Sequence, residues 1–305
     1  MPDVVVVGSI ALDSLQTPFG RVDEVAGGSA TYFSLAARHF ASVGIVGVAG
    51  EDFPRAHLDG LVERGIDITG LEVRSGATFR WAGRYENDLN VAHTLDTQLN
   101  VFAAFRPRIP ESYRTSHNLF LGNIAPSLQR EVLDQVERPA FTAMDTMNFW
   151  IQGNHTELSS VMRRVDAVLI NEAEARQFAG SHNIAHAARY IQDLGPRIVV
   201  VKKGEYGSVL FHRDEHFVAP AFPLEDVRDP TGAGDSYAGA FVGYLVRARR
   251  IDDVTLRQAV VVAGVVASYT CEEFGVGRLT TLTRDEIANR VRLFRKYTEF
   301  DEEMF

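Results

Sequence analysis

The chain is 305 residues long, 46% hydrophobic and 23% charged, with a formal charge of −9. This length can bury a substantial core, the composition excludes a disordered chain, and the acidic balance argues against nucleic acid as a partner, which calls for a basic stripe. Cys271 is the only cysteine, so an internal disulfide and a cysteine-rich metal site are both excluded, as expected for a reducing cytoplasm.

The opening "MPDVVVVGSIALD" has no basic leader and too short an apolar run for a secretory signal. "VVVVG" (4–8) reads as a buried strand, "SATYFSLAARHF" (29–40) as a helix and "VGIVGVAG" (43–50) as a strand. A helix over 53–65 follows, closed by Gly65. "TFRWAGRYEND" (78–88) alternates, with Phe79, Trp81 and Tyr85 on one face and Arg80, Ala82 and Arg84 on the other. With 93–105, and an extra strand within 14–26, it predicts a β-ribbon outside the main sheet. Such a ribbon inserted between α/β units is a candidate lid, and its free edges are where a second copy of the chain would pair into a homodimer.

Beyond the ribbon, strand and helix patterns alternate through "HNLFLGNI", "PSLQREVLDQVE", "AFTAMD", "ELSSVMRRV", "AVLIN", "EAEARQFAG", "HNIAHAARYIQDLG" and "RIVVVKKG". "GSVLFHRDEHFVAPAF" (207–222) reads as an antiparallel hairpin at the sheet edge. The longest apolar stretch, "AVVVAGVVASY", is well short of the ~20 residues a membrane helix needs. Strands apolar on both faces, alternating with helices, predict an α/β fold with a mostly parallel sheet. No repeat or linker divides 1–305 into more than one domain.

"VRDPTGAGDSYAGAFVGYL" (227–245) places Gly232, Ala233 and Gly234 immediately before a lone acid, Asp235, at the start of an apolar helix. The first N–H groups of a helix lack intrahelical partners and carry the positive end of its dipole. Stripping side chains from the turn lets an anion reach those groups directly. An anion cradle beside a carboxylate that can take a proton is what phosphoryl transfer to an alcohol requires. The commonplace alternative is a tight turn with a favourable N-terminal acid.

"DPTGAGDSYAGAFV" resembles the C-terminal signature of the PfkB/ribokinase family of sugar and nucleoside kinases, and the order of elements resembles that family over nearly the whole chain. The resemblance implies a ribokinase-like α/β/α sandwich with a small β-sheet lid, here about 13–28 and 76–105. It implies ATP and Mg²⁺, leaves a monovalent cation open, and makes Gly232-Ala233-Gly234 the anion hole and Asp235 the general base. Asn171 and Glu174 in "LINEAEAR" form a capping-box pattern in their own right; the family uses an N-x-x-E motif here for the nucleotide, Glu174 meeting Mg²⁺ through water. The same resemblance gives Lys202, Gly204, Gly207 and Thr231 to the nucleotide, and Asp13, Gly27, Gly28, Asp145 and Asn148 to the acceptor. A carboxylate such as Asp13 suits a vicinal diol.

Two departures bear on the acceptor: Tyr32 stands where relatives often carry Asn, and Trp150 where many carry Arg. A primary hydroxyl of a sugar or polyol is the first expectation and a nucleoside the second. A non-catalytic ligand sensor on the same scaffold is the alternative of another class. A dinucleotide oxidoreductase is disfavoured because no G-x-G-x-x-G follows the first strand, and no G-x-x-x-x-G-K-[ST] marks a P-loop.

Overall fold

The structure, a computed structural model, describes residues 1–299. The chain opens with β1 (Val4–Val7), β2 (Ala11–Thr17) and β3 (Gly20–Gly27), then α1 (Ser29–Ala37) and β4 (Val43–Gly50). Next come α2 (Arg55–Glu63), β5 (Asp67–Arg74), β6 (Phe79–Tyr85), β7 (Ala92–Gln98) and β8 (Asn118–Leu121). The middle holds α3 (Pro126–Leu133), β9 (Phe141–Met144), α4 (Asn148–Gly153), α5 (His155–Met162) and β10 (Ala167–Asn171). Then follow α6 (Glu172–Ala179), α7 (Ile184–Leu194), β11 (Ile198–Lys202), β12 (Ser208–His212) and β13 (Glu215–Ala219). The chain closes with α8 (Ala233–Ala248), α9 (Asp253–Thr270), α10 (Gly277–Thr281) and α11 (Arg284–Thr298).

The main sheet has nine strands in the order β13-β12-β11-β10-β9-β8-β1-β4-β5. Every pairing from β5 across to β11 is parallel; β12 and β13 close one edge as an antiparallel hairpin. Because strand residues alternate sides, Val4 and Val6 bury with α1, α8 and α9, while Val5 and Val7 bury with α3, α5, α6 and α7. Two cores therefore sandwich the sheet, as the doubly apolar strands required. α8 lies between α1 and α9 and is buried over most of its surface from Ser236 to Leu245. Among the described residues no helix is long and apolar enough to cross a membrane.

A second, four-stranded sheet has the order β3-β2-β6-β7. Its central pairing, β2 with β6, is parallel, and the outer two are antiparallel. The strand read from residue 93 ends at Gln98 and gives way to a 3₁₀ turn over Asn100–Ala104. The cause is aromatic: Phe102 stacks between Phe79 and Phe105 at 5.3 and 5.6 Å, drawing the chain back to the core, where Phe105 is buried.

Chain order sends β4 and β5 to one side of β1 and β8 onward to the other, so the carboxyl ends of β1 and β8 border the point where the winding reverses. Such switch points leave a crevice. Gly8, Gly122–Asn123, Asp145, Asn171 and Lys202 all sit at or just past carboxyl ends of the parallel strands.

Candidate active site

The crevice receives the N-terminus of α8. Gly232 caps the helix in the left-handed region (φ 74°), and the ring of Tyr32 lies flat against it, 2.3 Å from where a β-carbon would stand. A side chain is thus barred at 232 by both backbone and space. The amide of Ala233 donates to the Pro230 carbonyl at 3.1 Å. Those of Gly232, Gly234 and Asp235 have no acceptor among the described residues. Within the expected cradle the Ala233 amide closes the turn, and the bare donors are its neighbours.

The turn is held from behind. Asp229, fully buried, accepts the amides of Thr231 and Gly275, each at 2.9 Å. The Cys271 carbonyl accepts from Arg228 at 2.8 Å. From the second sheet, Thr17 Oγ1 donates to the Arg228 carbonyl at 2.8 Å, and Thr231 Oγ1 donates to Tyr85 Oη at 3.1 Å. Both donors of Thr231 are therefore engaged within the protein. Thr231, expected at the nucleotide, braces the turn against the second sheet in this structure.

On one side of Asp235 lies Asp13, 4% exposed. Burial pushes its carboxyl up to about 8, with Asp229 and Asp235 adding to the rise. Gly27 packs so closely on this carboxylate that a β-carbon would fall 1.9 Å from Oδ2; one on Gly28 would fall 2.5 Å from the Ser9 carbonyl. The double glycine therefore lets the start of α1 close over Asp13. Tyr32 is 1% exposed, and its hydroxyl has no partner among the described residues. Asp13, Asp229, Tyr85 and Asp235 are its charged and phenolic neighbours.

On the other side lies a charge cluster. Lys202 Nζ pairs with Asp145 Oδ2 at 2.7 Å and stands 3.1 Å from where a β-carbon on Gly234 would project. Burial works against the ammonium, but Asp145 and Glu174 outweigh it and hold Lys202 above its usual range. Glu174 is buried; its Oε2 accepts the Asn171 amide at 3.0 Å while Asn171 Oδ1 accepts the Glu174 amide at 2.8 Å. The capping box is therefore real. Burial and then Asp145 push the Glu174 carboxyl up to about 8. Its second oxygen has no hydrogen-bond partner among the described residues. A buried, half-partnered carboxylate beside bare amides and an ammonium fits a hydrated divalent cation on a polyphosphate.

Asp235 stands between the two groups: half-buried, pushed up to about 7 by burial and by Asp145, and held down by Lys202. Asp145, expected at the acceptor, is paired with Lys202 and so stands in the charge cluster. Asn148, the exposed first residue of α4, has no hydrogen bond to either group among the described residues. Gly207 (φ 87°) leaves room for the Ala219 carbonyl, 2.1 Å from a would-be β-carbon, and Gly204 leaves room for the Asn90 amide. Both glycines, expected beside the nucleotide, are packed closely by protein atoms at these points. Asn123, which the sequence did not single out, has its Oδ1 accept from Trp150 Nε1 at 3.0 Å and its Nδ2 meet Met147 Sδ at 3.1 Å, tying the loop after β8 to the start of α4. The only available signal was its place one residue past a strand-ending glycine.

The sequence profile of the pfkB family carbohydrate kinases matches residues 1–282. A cytidine kinase of Thermococcus kodakarensis is 30% identical over 259 residues, covering 83% of this chain and 92% of that one. The crystal structure of the Methanocaldococcus jannaschii nucleoside kinase superposes with a TM-score of 0.77 at 18% identity, over 95% and 98% of the two chains. An E. coli chain solved in complex with ATP and Mg²⁺ gives 0.79 at 18% identity, over 95% and 99%.

Proposed function

The chain belongs to the pfkB family of carbohydrate kinases, ATP-dependent phosphotransferases with a hydroxyl acceptor, and from that premise we propose a nucleoside as its acceptor, phosphorylated on a primary hydroxyl with Asp235 as general base. The nucleoside is supported by the cytidine kinase that matches over nearly its whole length. A free sugar or polyol is the second reading, favoured by Asp13, whose carboxylate reads a vicinal diol with or without a base attached.

In this reading Asp13 and the Tyr32 hydroxyl hold the acceptor, and Asp235 aligns its hydroxyl and takes the proton. The bare amides of Gly232, Gly234 and Asp235 face the charge that develops on the migrating phosphoryl group. Asn171, Glu174 and Lys202 hold the donor phosphates, and Mg²⁺ on Glu174 would supply further neutralisation of those phosphates. The second sheet acts as the lid, excluding water through its grip on the anion-hole turn at Thr17 and Tyr85. The observation that carries the reading is the position of Asp235, the common electrostatic neighbour of Asp13 and of Lys202, at the foot of a helix with uncommitted amides.

Asp235→Asn keeps the shape of the site and removes the base. Turnover with cytidine and ATP should fall by a factor on the order of 10²–10⁴ while nucleotide affinity, measured by calorimetry, stays within a few-fold. Near-normal phosphorylation by this variant contradicts the assignment.

A further inference from the structure

The loop joining β6 to β7 reaches past the acceptor side and touches the turn that follows β11. Asn90 Nδ2 donates to Glu205 Oε1 at 3.0 Å, and the Glu205 amide donates back to Asn90 Oδ1 at 3.1 Å. Asp88 Oδ1 braces the same asparagine through its amide (2.9 Å) and its Nδ2 (3.0 Å). The receiving surface is shaped for this contact: Gly204 sits in the left-handed region (φ 56°), and a β-carbon there would fall 1.8 Å from Asn90 Oδ1. Five residues before Asn90, Tyr85 holds Thr231 of the anion-hole turn. Two residues before Gly204, Lys202 holds Asp145 beside Gly234. One hairpin therefore grips the acceptor-side turn at its base and the donor-side turn at its tip.

We propose that Asn90 is a positioning residue that latches the lid tip onto the Gly204–Glu205 turn, so that closing over the acceptor and fixing the donor-side turn are a single event. The inference rests on the kinase reading and extends it to how the two halves of the crevice communicate. Asn90 and Glu205 are both exposed, so their mutual bonds are weak enough to break on every turnover, as a latch must. The turn closes without Asn90, since the Tyr206 amide donates to the Lys203 carbonyl and the Gly207 amide to the Gly204 carbonyl.

The test is hydrogen–deuterium exchange on the full chain, with and without Mg·ADP, for wild type and Asn90→Ala. In wild type, Mg·ADP bound at the donor side should slow exchange in 86–91. In Asn90→Ala, exchange in 86–91 and 203–207 should rise by roughly tenfold, and the nucleotide should no longer protect the tip. Asn90→Asp, which sets two carboxylates face to face, should open the tip as well, and adding Glu205→Gln should restore part of the protection. A role confined to stability would not show this nucleotide dependence or this rescue. If Mg·ADP binds wild type by calorimetry yet leaves 86–91 unprotected, or Asn90→Ala exchanges like wild type, the latch is refuted and the kinase reading stands. If Mg·ADP does not bind wild type at all, both fall together.

Discussion

Asp235 and Lys202 carry opposing demands that a single titration can expose. Asp235, as the proposed base, must be ionised to accept a proton, yet burial and the Asp145 charge raise its pKa to about 7, and the Lys202 ammonium is what limits the rise. Activity should therefore climb through neutral pH as Asp235 loses its proton. Lys202→Met removes the restraining cation, so the acid limb of the kcat–pH profile should move to higher pH, with a larger loss at pH 6.5 than at pH 9. An unmoved limb means that another group sets it. At this scale the sequence was informative where chemistry and backbone coincide: the small-residue turn could be read because bare amides are a property of glycine and of helix ends. It was silent on Ala233, whose amide turns inward only because Pro230 offers a carbonyl 3.1 Å away. It was equally silent on Tyr32, since nothing in one chain says that an aromatic ring will lie flat on a glycine two hundred residues later.

The elements that bring the site together are α1 and α8, each delivering its N-terminus to the crevice, and they meet unusually closely. A β-carbon on Gly239 would fall 2.2 Å from the Phe33 carbonyl oxygen, a backbone atom that cannot swing aside. Gly239→Ala should therefore part the helices and cost about 1–3 kcal/mol, read as a lower urea midpoint with an unchanged slope. Wild-type stability would mean that the helix pair yields without cost. Most elements could be read from periodicity, because strands buried on both faces and helices with one apolar stripe leave different patterns. The second sheet could not be assembled that way. β2 and β6 are separated by more than sixty residues and pair in parallel, a register fixed by the main sheet that carries their ends and by no local turn.

For the molecule as a whole, the acids gathered in the crevice are a standing cost. Asp13, Glu174 and Asp235 all have folded-state values raised above those of the unfolded chain, so the native state binds more protons than the unfolded one between about pH 4 and pH 8. Stability should then fall as pH rises across that window, in the same direction as the self-repulsion of a chain carrying −9. Below it the trend reverses: Glu286, held at about 2 by Thr283 and Arg278, Asp3, lowered by Ser42, and Asp52, lowered by Thr78 and Arg80, must take up protons and lose those bonds to the carboxylate. The ligand-free protein should therefore melt several degrees higher at pH 6 than at pH 8; a flat or opposite trend would deny that these carboxyls are protonated in the fold. The four-stranded sheet has a last consequence for anyone recombining the gene. It is woven from two excursions, Ala11–Gly27 and Phe79–Gln98, with the β2–β6 pairing as the seam between them. A crossover that imports only one excursion from a relative inherits half a seam, so acceptor preference should transfer between such kinases only when both stretches travel together.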